Sequence, residues 1–143
     1  MEIYPKPSSP CTCLNLRRAA RAITEYYDNY LKTEGISVSQ MVLLRHVDYF
    51  KSVTMTHLAK QMRIDRTTLN RNLKPLVEQG FVEIVPGKDS RTREIHLLDE
   101  GKNKLKRAMA LWVQAQGGVR DYLGSDDAAK LTELAAKIEA LVP

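Results

Sequence analysis

Two neighbouring stretches concentrate side chains that can bind a polyanion. The first, RTTLNRNLK at residues 66–74, sets polar residues between leucines, and the second, PGKDSRTR at residues 86–93, is a basic turn. Arginine and lysine contact phosphate oxygens, whereas asparagine, arginine and threonine can also contact the edges of nucleic-acid bases. The candidate contact residues are Arg66, Thr67, Thr68, Asn70, Arg71, Lys74, Lys88, Arg91 and Arg93.

The charge distribution also indicates that this part of the chain binds a polyanion. The formal net charge is +5, and residues 54–93 carry eight Lys/Arg against four Asp/Glu. A nucleic acid is a natural partner for such a segment. On charge alone, an ordinary solvated basic face remains the alternative.

Length and composition indicate one globular domain of 143 residues. No apolar run approaches the roughly 18 residues needed to span a membrane. Residues 1–12 lack the pattern of a signal peptide and, with their prolines and serines, predict a loose arm and a cytoplasmic protein. His46, His57 and His96 lie far apart on different predicted elements, so we expect no metal site, cofactor or enzymatic activity.

Hydrophobic periodicity predicts four helices in the first half of the chain. The first runs from about Leu14 to Thr33, the second follows a cap at Ser37, and a short third begins near Thr54. Asp65 is placed to cap a fourth, polar-faced helix that Gly80 ends.

The second half predicts a hairpin and two more helices. FVEIV and REIHLL alternate as strands across PGKDSRT, and a helix from Asp99, its expected cap, reaches about Gly117. A last helix carries Leu131, Leu134 and Ile138 in heptad-like spacing. The terminal helices have more apolar surface than one small domain can cover, which predicts a partner chain.

This order of elements predicts a mainly α protein with a small β-hairpin wing, a winged helix-turn-helix over residues of about 37–98. The short link RID at residues 63–65 sets the third and fourth helices at a steep angle, so that the fourth can enter a major groove. Helices at about 14–34 and 99–143 are then the dimerisation region.

The stretch LAKQMRIDRTTLNRNLKPLVEQGFVEIVPGKDSRTREIHLLDEG resembles MarR-type transcriptional regulators. Its most specific feature is the aspartate-x-arginine of the wing, Asp89 and Arg91. The resemblance implies a homodimer that binds a pseudo-palindromic DNA operator and represses nearby genes until a small aromatic effector or an oxidant releases it. Within that frame, Asn70 suits adenine, Arg71 suits guanine or phosphate, Arg91 suits the minor groove, and Asp89 orients an arginine.

Two cysteines, Cys11 and Cys13, open the first helix, with Arg17 one turn on. A thiol at a helix N-terminus beside a cation can become oxidisable. Cys13 also falls where OhrR-type peroxide sensors of the same family keep their reactive cysteine, and Tyr27 where one supporting tyrosine lies, although Val38 replaces the second. The alternative is a buried or incidental cysteine pair.

An effector pocket could include Arg17, Tyr27 and His46, although each also suits a plain surface or packing role. Two further functions stay open. The chain could be a thiol-based peroxide-reactive protein in which DNA is incidental, or a winged-helix module that binds protein or structured RNA.

Overall fold

The structure is a computed structural model and describes residues 9–143; residues 1–8, most of the predicted N-terminal arm, lie outside the described part. The elements, in chain order, are α1 (Thr12–Leu31), a 3-10 turn (Lys32–Glu34), α2 (Val38–Phe50), β1 (Ser52–Thr54), α3 (Met55–Met62), α4 (Arg66–Glu78), β2 (Val82–Pro86), β3 (Arg93–Leu97), α5 (Asp99–Leu123) and α6 (Ser125–Glu139). The predicted mainly α winged helix-turn-helix is confirmed. Within residues 9–143 no helix is long and apolar enough to cross a membrane.

The core lies between α2, α4 and the sheet. Leu44, Leu69, Leu73 and Ile95 are at most 1% exposed. Because the α4 leucines recur at helical spacing, one face of that helix is buried while the opposite face stays in solvent. This packing fixes the polar face of α4 relative to the wing.

The sheet has three strands, one more than predicted. Its order is β1-β3-β2, and Val53 of β1 pairs with Ile95 of β3 in an antiparallel register. Three residues carry too little alternation to be recognised in the sequence. Their pairing partner lies more than 40 residues away, so only the tertiary fold reveals β1.

α5 is longer than predicted, since it continues through Gly117 and Gly118 to Leu123. Gly118 allows the Tyr26 hydroxyl to approach, because a Cβ there would lie 2.1 Å from that oxygen. The predicted cap at Asp99 is also wrong. Leu98 holds the cap position without a side-chain hydrogen bond, and Asp99 is the first helical residue, where its charge suits the helix dipole.

The two terminal regions meet along α5. α1 and α6 both pack against α5, and α6 has no buried residue. Leu131, Leu134 and Ile138 on α6 are 52%, 43% and 37% exposed, and Ile23 on α1 is 41% exposed. Large apolar side chains of α1 and α6 therefore face solvent in the single chain.

Candidate nucleic-acid interface

The N-terminus of α4, the recognition helix, is capped as predicted by Asp65. The Thr68 backbone N–H donates to Asp65 Oδ1 at 2.7 Å. This hydrogen bond stabilises the charged carboxylate, so it holds the pKa of Asp65 below its ordinary value. The cap fixes where the first turn of the helix begins, and with it the positions of the polar residues that follow.

The outer face of α4 is polar and accessible. Thr68 is half-buried beside the leucine face, and the other predicted contact residues of this helix are exposed: Arg66, Thr67, Asn70, Arg71 and Lys74. The helix continues through Pro75 to Glu78. Two full turns of donors are thus held on a rigid, well-packed scaffold.

The wing turn, residues 87–92, carries exposed Lys88 and Arg91, and Arg93 begins the strand that follows. Asp89 accepts hydrogen bonds from the Arg91 backbone N–H at 3.0 Å, from Nε at 3.4 Å and from Nη2 at 3.2 Å. These contacts hold the pKa of Asp89 below its ordinary value. The Arg91 side chain is 89% exposed, so one edge of its guanidinium is held by Asp89 while the rest faces solvent.

A polar cluster that the sequence did not reveal braces the base of the wing. Ser52 Oγ donates to Glu94 Oε1 at 2.5 Å and lies 3.1 Å from His96 Nε2. Glu83 Oε1 lies 3.8 Å from the other His96 nitrogen. Hydrogen bonds from Ser52 and His96 hold the pKa of Glu94 below its ordinary value. The cluster was missed because its members meet only after β1 pairs with β3.

Comparison with solved structures decides the family. The chain is 31% identical to the Mycobacterium tuberculosis transcriptional regulator MosR, solved in complex with DNA, over 93% of this chain and 99% of that one, with a TM-score of 0.79. A MarR family model matches residues 34–91, from the end of the 3-10 turn to the tip of the wing. The chain belongs to the MarR family.

Other MarR-family structures agree with this fold. A second MosR structure is 30% identical over 92% of this chain and 97% of that one, with a TM-score of 0.78. A cysteine-to-serine mutant of Escherichia coli MarR, complexed with operator DNA, is 24% identical over 90% of this chain and 91% of that one, with a TM-score of 0.80. At that identity the likeness to MarR shows the fold alone. The sequence has no significant match among curated proteins.

The three residues predicted for an effector pocket of this MarR-family protein do not come together. His46 lines a cavity of about 300 Å³ between α2, α3 and α5. Tyr27 lines a separate cavity of similar size between α1, α5 and α6, where its hydroxyl donates to Gln116 Oε1 and burial raises its pKa. Arg17 is exposed on α1 and lines neither cavity.

The cavity beside His46, here called the α2 cavity, is lined by aromatic, aliphatic and polar side chains. Its walls include Phe50 and Trp112, and the Arg45 guanidinium carbon lies 5.3 Å from the centre of the Trp112 ring. The His46 Nδ1 is occupied by a hydrogen bond with the Val42 carbonyl at 2.8 Å. The cavity therefore offers aromatic walls and a nearby cation.

Cys11 and Cys13 are both free and exposed, so an incidental pair, and not a buried one, is the alternative to redox sensing that fits the structure. Cys11 is the N-cap of α1, and the Leu14 backbone N–H donates to its Sγ at 3.4 Å. A change at this sulfur would act directly on the start of α1. Within the described residues no group of three or more His, Cys, Asp or Glu is placed to hold a metal ion.

Proposed function

We propose that this protein binds double-stranded DNA as a homodimer on a pseudo-palindromic operator and represses transcription, without enzymatic activity. The observation that carries the proposal is the joint presentation of two cationic groups, the outer face of α4 and the Arg91 guanidinium of the wing, by one packed unit. Such a pair can contact a major groove and the adjacent minor groove together. The MosR relative, solved in complex with DNA, supports this assignment.

In this proposal α4 lies in the major groove. Asn70 pairs with adenine, Arg71 contacts guanine or phosphate, and Lys74 contacts phosphate, because these side chains share the exposed face. Thr67 and Thr68 take a phosphate or a thymine methyl near the helix start, and Arg66 adds a cation there.

Arg91 enters the minor groove, where narrow A·T tracts concentrate negative potential. Asp89 limits the rotamers of Arg91 by accepting from Nε and Nη2, which lowers the entropy lost on binding. Lys88 and Arg93 flank Arg91 and contact the phosphate backbone.

The apolar surface of α1 and α6 forms the dimer contact. A second copy of the chain covers Ile23, Leu131, Leu134 and Ile138 and thereby removes their apolar area from water. A two-fold axis between the copies then sets the recognition helices about one DNA turn apart, roughly 34 Å.

A small aromatic effector in the α2 cavity would release the DNA. The cavity lies between α2, α3 and α5. These helices lie between the proposed dimer contact on α1 and α6 and the recognition helix α4. A ligand there changes the separation of the recognition helices only through its different affinity for two arrangements. Arg45 favours a ligand with a negative or electron-rich group beside the aromatic walls.

Oxidation is a second route of release, favoured by the exposure of both thiols and by the capping role of Cys11. An organic hydroperoxide oxidises a thiolate to a sulfenic acid and is reduced to its alcohol. Mass spectrometry after one equivalent of hydroperoxide should then show added oxygen, or a disulfide, at Cys11 or Cys13. Unchanged thiols would eliminate this route and leave ligand release intact.

Footprinting on the protein's own promoter region tests the main proposal. A regulator of this kind protects a site with two-fold symmetry, and higher salt weakens the protection. An asymmetric footprint, or preferential binding of structured RNA or of a protein, would contradict it. A footprint that is absent while hydroperoxide consumption persists would favour the thiol-based alternative.

A further inference from the structure

The turn between α3 and α4 is joined to the end of α6 by one arginine. Arg63 Nη2 donates to the Glu139 carbonyl oxygen at 2.8 Å and also to the Val142 carbonyl oxygen. Its Nε lies 3.5 Å from Glu139 Oε1. These contacts connect residues 76 and 79 positions apart in the sequence.

The backbone at Arg63 would favour a different residue. Arg63 is the C-cap of α3 with φ 53° and ψ 42°, a left-handed conformation in which its N–H donates to the carbonyls of Ala59 and Lys60. Glycine or asparagine adopts this conformation at lower cost. The left-handed backbone thus gives no reason for an arginine here, whereas the side-chain contacts use its guanidinium.

One acceptor, the Glu139 carbonyl, is the last of α6, and the other, the Val142 carbonyl, lies three residues beyond the helix. The last carbonyls of a helix lack intrahelical partners and carry the negative end of the helix dipole. Between the helix-turn-helix and the α6 end, the hydrogen bonds and ion pairs formed by residues 9–143 all involve Arg63. α6 otherwise packs on α5 and exposes its apolar stripe.

We propose that Arg63 is a positioning residue that couples α6 to α4 and so fixes the separation of the two recognition helices in the dimer. Arg63 precedes Asp65, the N-cap of α4, by two residues. A shift of α6 would therefore move the start of the recognition helix. This inference rests on the proposed DNA-binding function. It makes α6 a determinant of operator spacing.

The test measures affinity as a function of half-site spacing. The probes are the duplex identified by footprinting and two versions with one base pair added to or removed from its centre. Arg63→Gly keeps the left-handed backbone while it removes the link, and Arg63→Lys keeps the charge without the forked donor geometry. Glu139→Lys opposes the arginine from the other side, and Glu133→Lys adds the same charge to α6 away from Arg63.

Loss of coupling predicts that Arg63→Gly and Glu139→Lys each bind the native spacing about 2- to 30-fold more weakly. Their preference for that spacing over the altered ones should shrink, while Glu133→Lys keeps the wild-type preference. The double variant Arg63→Gly/Glu139→Lys should bind no more weakly than Arg63→Gly alone, since Glu139→Lys acts by repelling the Arg63 side chain and has no target once that side chain is removed. The dimer mass should be unchanged, and the unfolding temperature of Arg63→Gly should stay near that of the wild type because glycine relieves the left-handed strain.

A direct phosphate contact by Arg63 would give a different pattern. Arg63→Gly would then reduce the salt slope by about one and leave the spacing preference intact, and Glu139→Lys would behave like Glu133→Lys. Either of these results would overturn the proposal. A wild-type protein that binds no duplex with two-fold symmetry would instead refute the proposed function itself.

Discussion

Gly101→Ala should destabilise the protein although alanine is the better helix former. Gly101 is the third residue of α5 and is buried against the base of the wing. A Cβ at this position would lie 2.1 Å from the Phe81 carbonyl oxygen and 2.9 Å from its carbonyl carbon. The Leu98 backbone N–H donates to the same oxygen at 3.0 Å, so the Phe81 carbonyl cannot turn away without losing that hydrogen bond.

The magnitude follows from the size of the overlap. Ordinary contact begins at 3.4 Å, so the start of α5 and the Phe81 backbone must separate by about 1.3 Å. Overpacking of this kind costs about 1–3 kcal/mol, and a clash with backbone belongs at the upper end of that range. The better helix propensity of alanine offsets about 1 kcal/mol of this loss in the free energy of unfolding. We expect a net loss of about 2 kcal/mol in the free energy of unfolding.

Gly117→Ala is the matched control, because it makes the same change in the same helix and, apart from its chain neighbours and the backbone of α5 itself, no atom of residues 9–143 lies within 4 Å of the added carbon. It should raise the free energy of unfolding by up to about 1 kcal/mol. Urea denaturation at one fixed protein concentration measures both variants, since the stability of a dimer depends on concentration. A Gly101→Ala protein as stable as the wild type would refute the packing argument at the junction of α5 and the wing.

Three further predictions concern the interface. The folded-state pKa of Asp65 lies below its ordinary value of 3.8, so the stabilisation from its charged cap is complete above that pH and is lost as the pH falls through the folded value. The advantage of wild type over Asp65→Asn in unfolding free energy should therefore narrow on acidification from pH 5 towards pH 2, and a constant difference would show that the cap charge contributes nothing. Arg91→Ala should weaken operator binding by roughly 5- to 150-fold in fluorescence anisotropy, and an unchanged affinity would remove Arg91 from the minor groove. Lys74→Ala should reduce the slope of log affinity against log salt by about one for every duplex tested, whereas a loss confined to one sequence would assign Lys74 to a base instead of a phosphate.

The parts of the fold that depend on local interactions were predictable from the sequence. Ser37 and Asp65 cap α2 and α4 as expected, because a cap is decided by a side chain and a backbone N–H three residues away. The leucine spacing of α4 likewise predicted which face is buried. The end of α5 was mispredicted at Gly117, because helix propensity is a weak preference that packing against α1 overrides.

In the candidate site, too, the features that depend on local sequence were predictable and those that depend on tertiary packing were not. The polar residues of α4 and of the wing were predicted correctly as exposed because this depends only on the local sequence: on the type of each residue and on its position relative to the leucines of α4. The effector residues were not grouped correctly, since His46 and Tyr27 line different cavities. Which helices enclose a cavity depends on packing, and no local pattern encodes that.

The sequence by itself determined the order of the six helices and the hairpin, the caps of α2 and α4, and the cationic face of α4, since each depends on residues within one or two helical turns. Only the tertiary structure decided that β1 joins the sheet, that Gly101 must have no side chain, and that Arg63 links the turn before α4 to the end of α6. In these cases the partners lie about 20 to nearly 80 residues apart, and they meet only once the chain has packed around a common core.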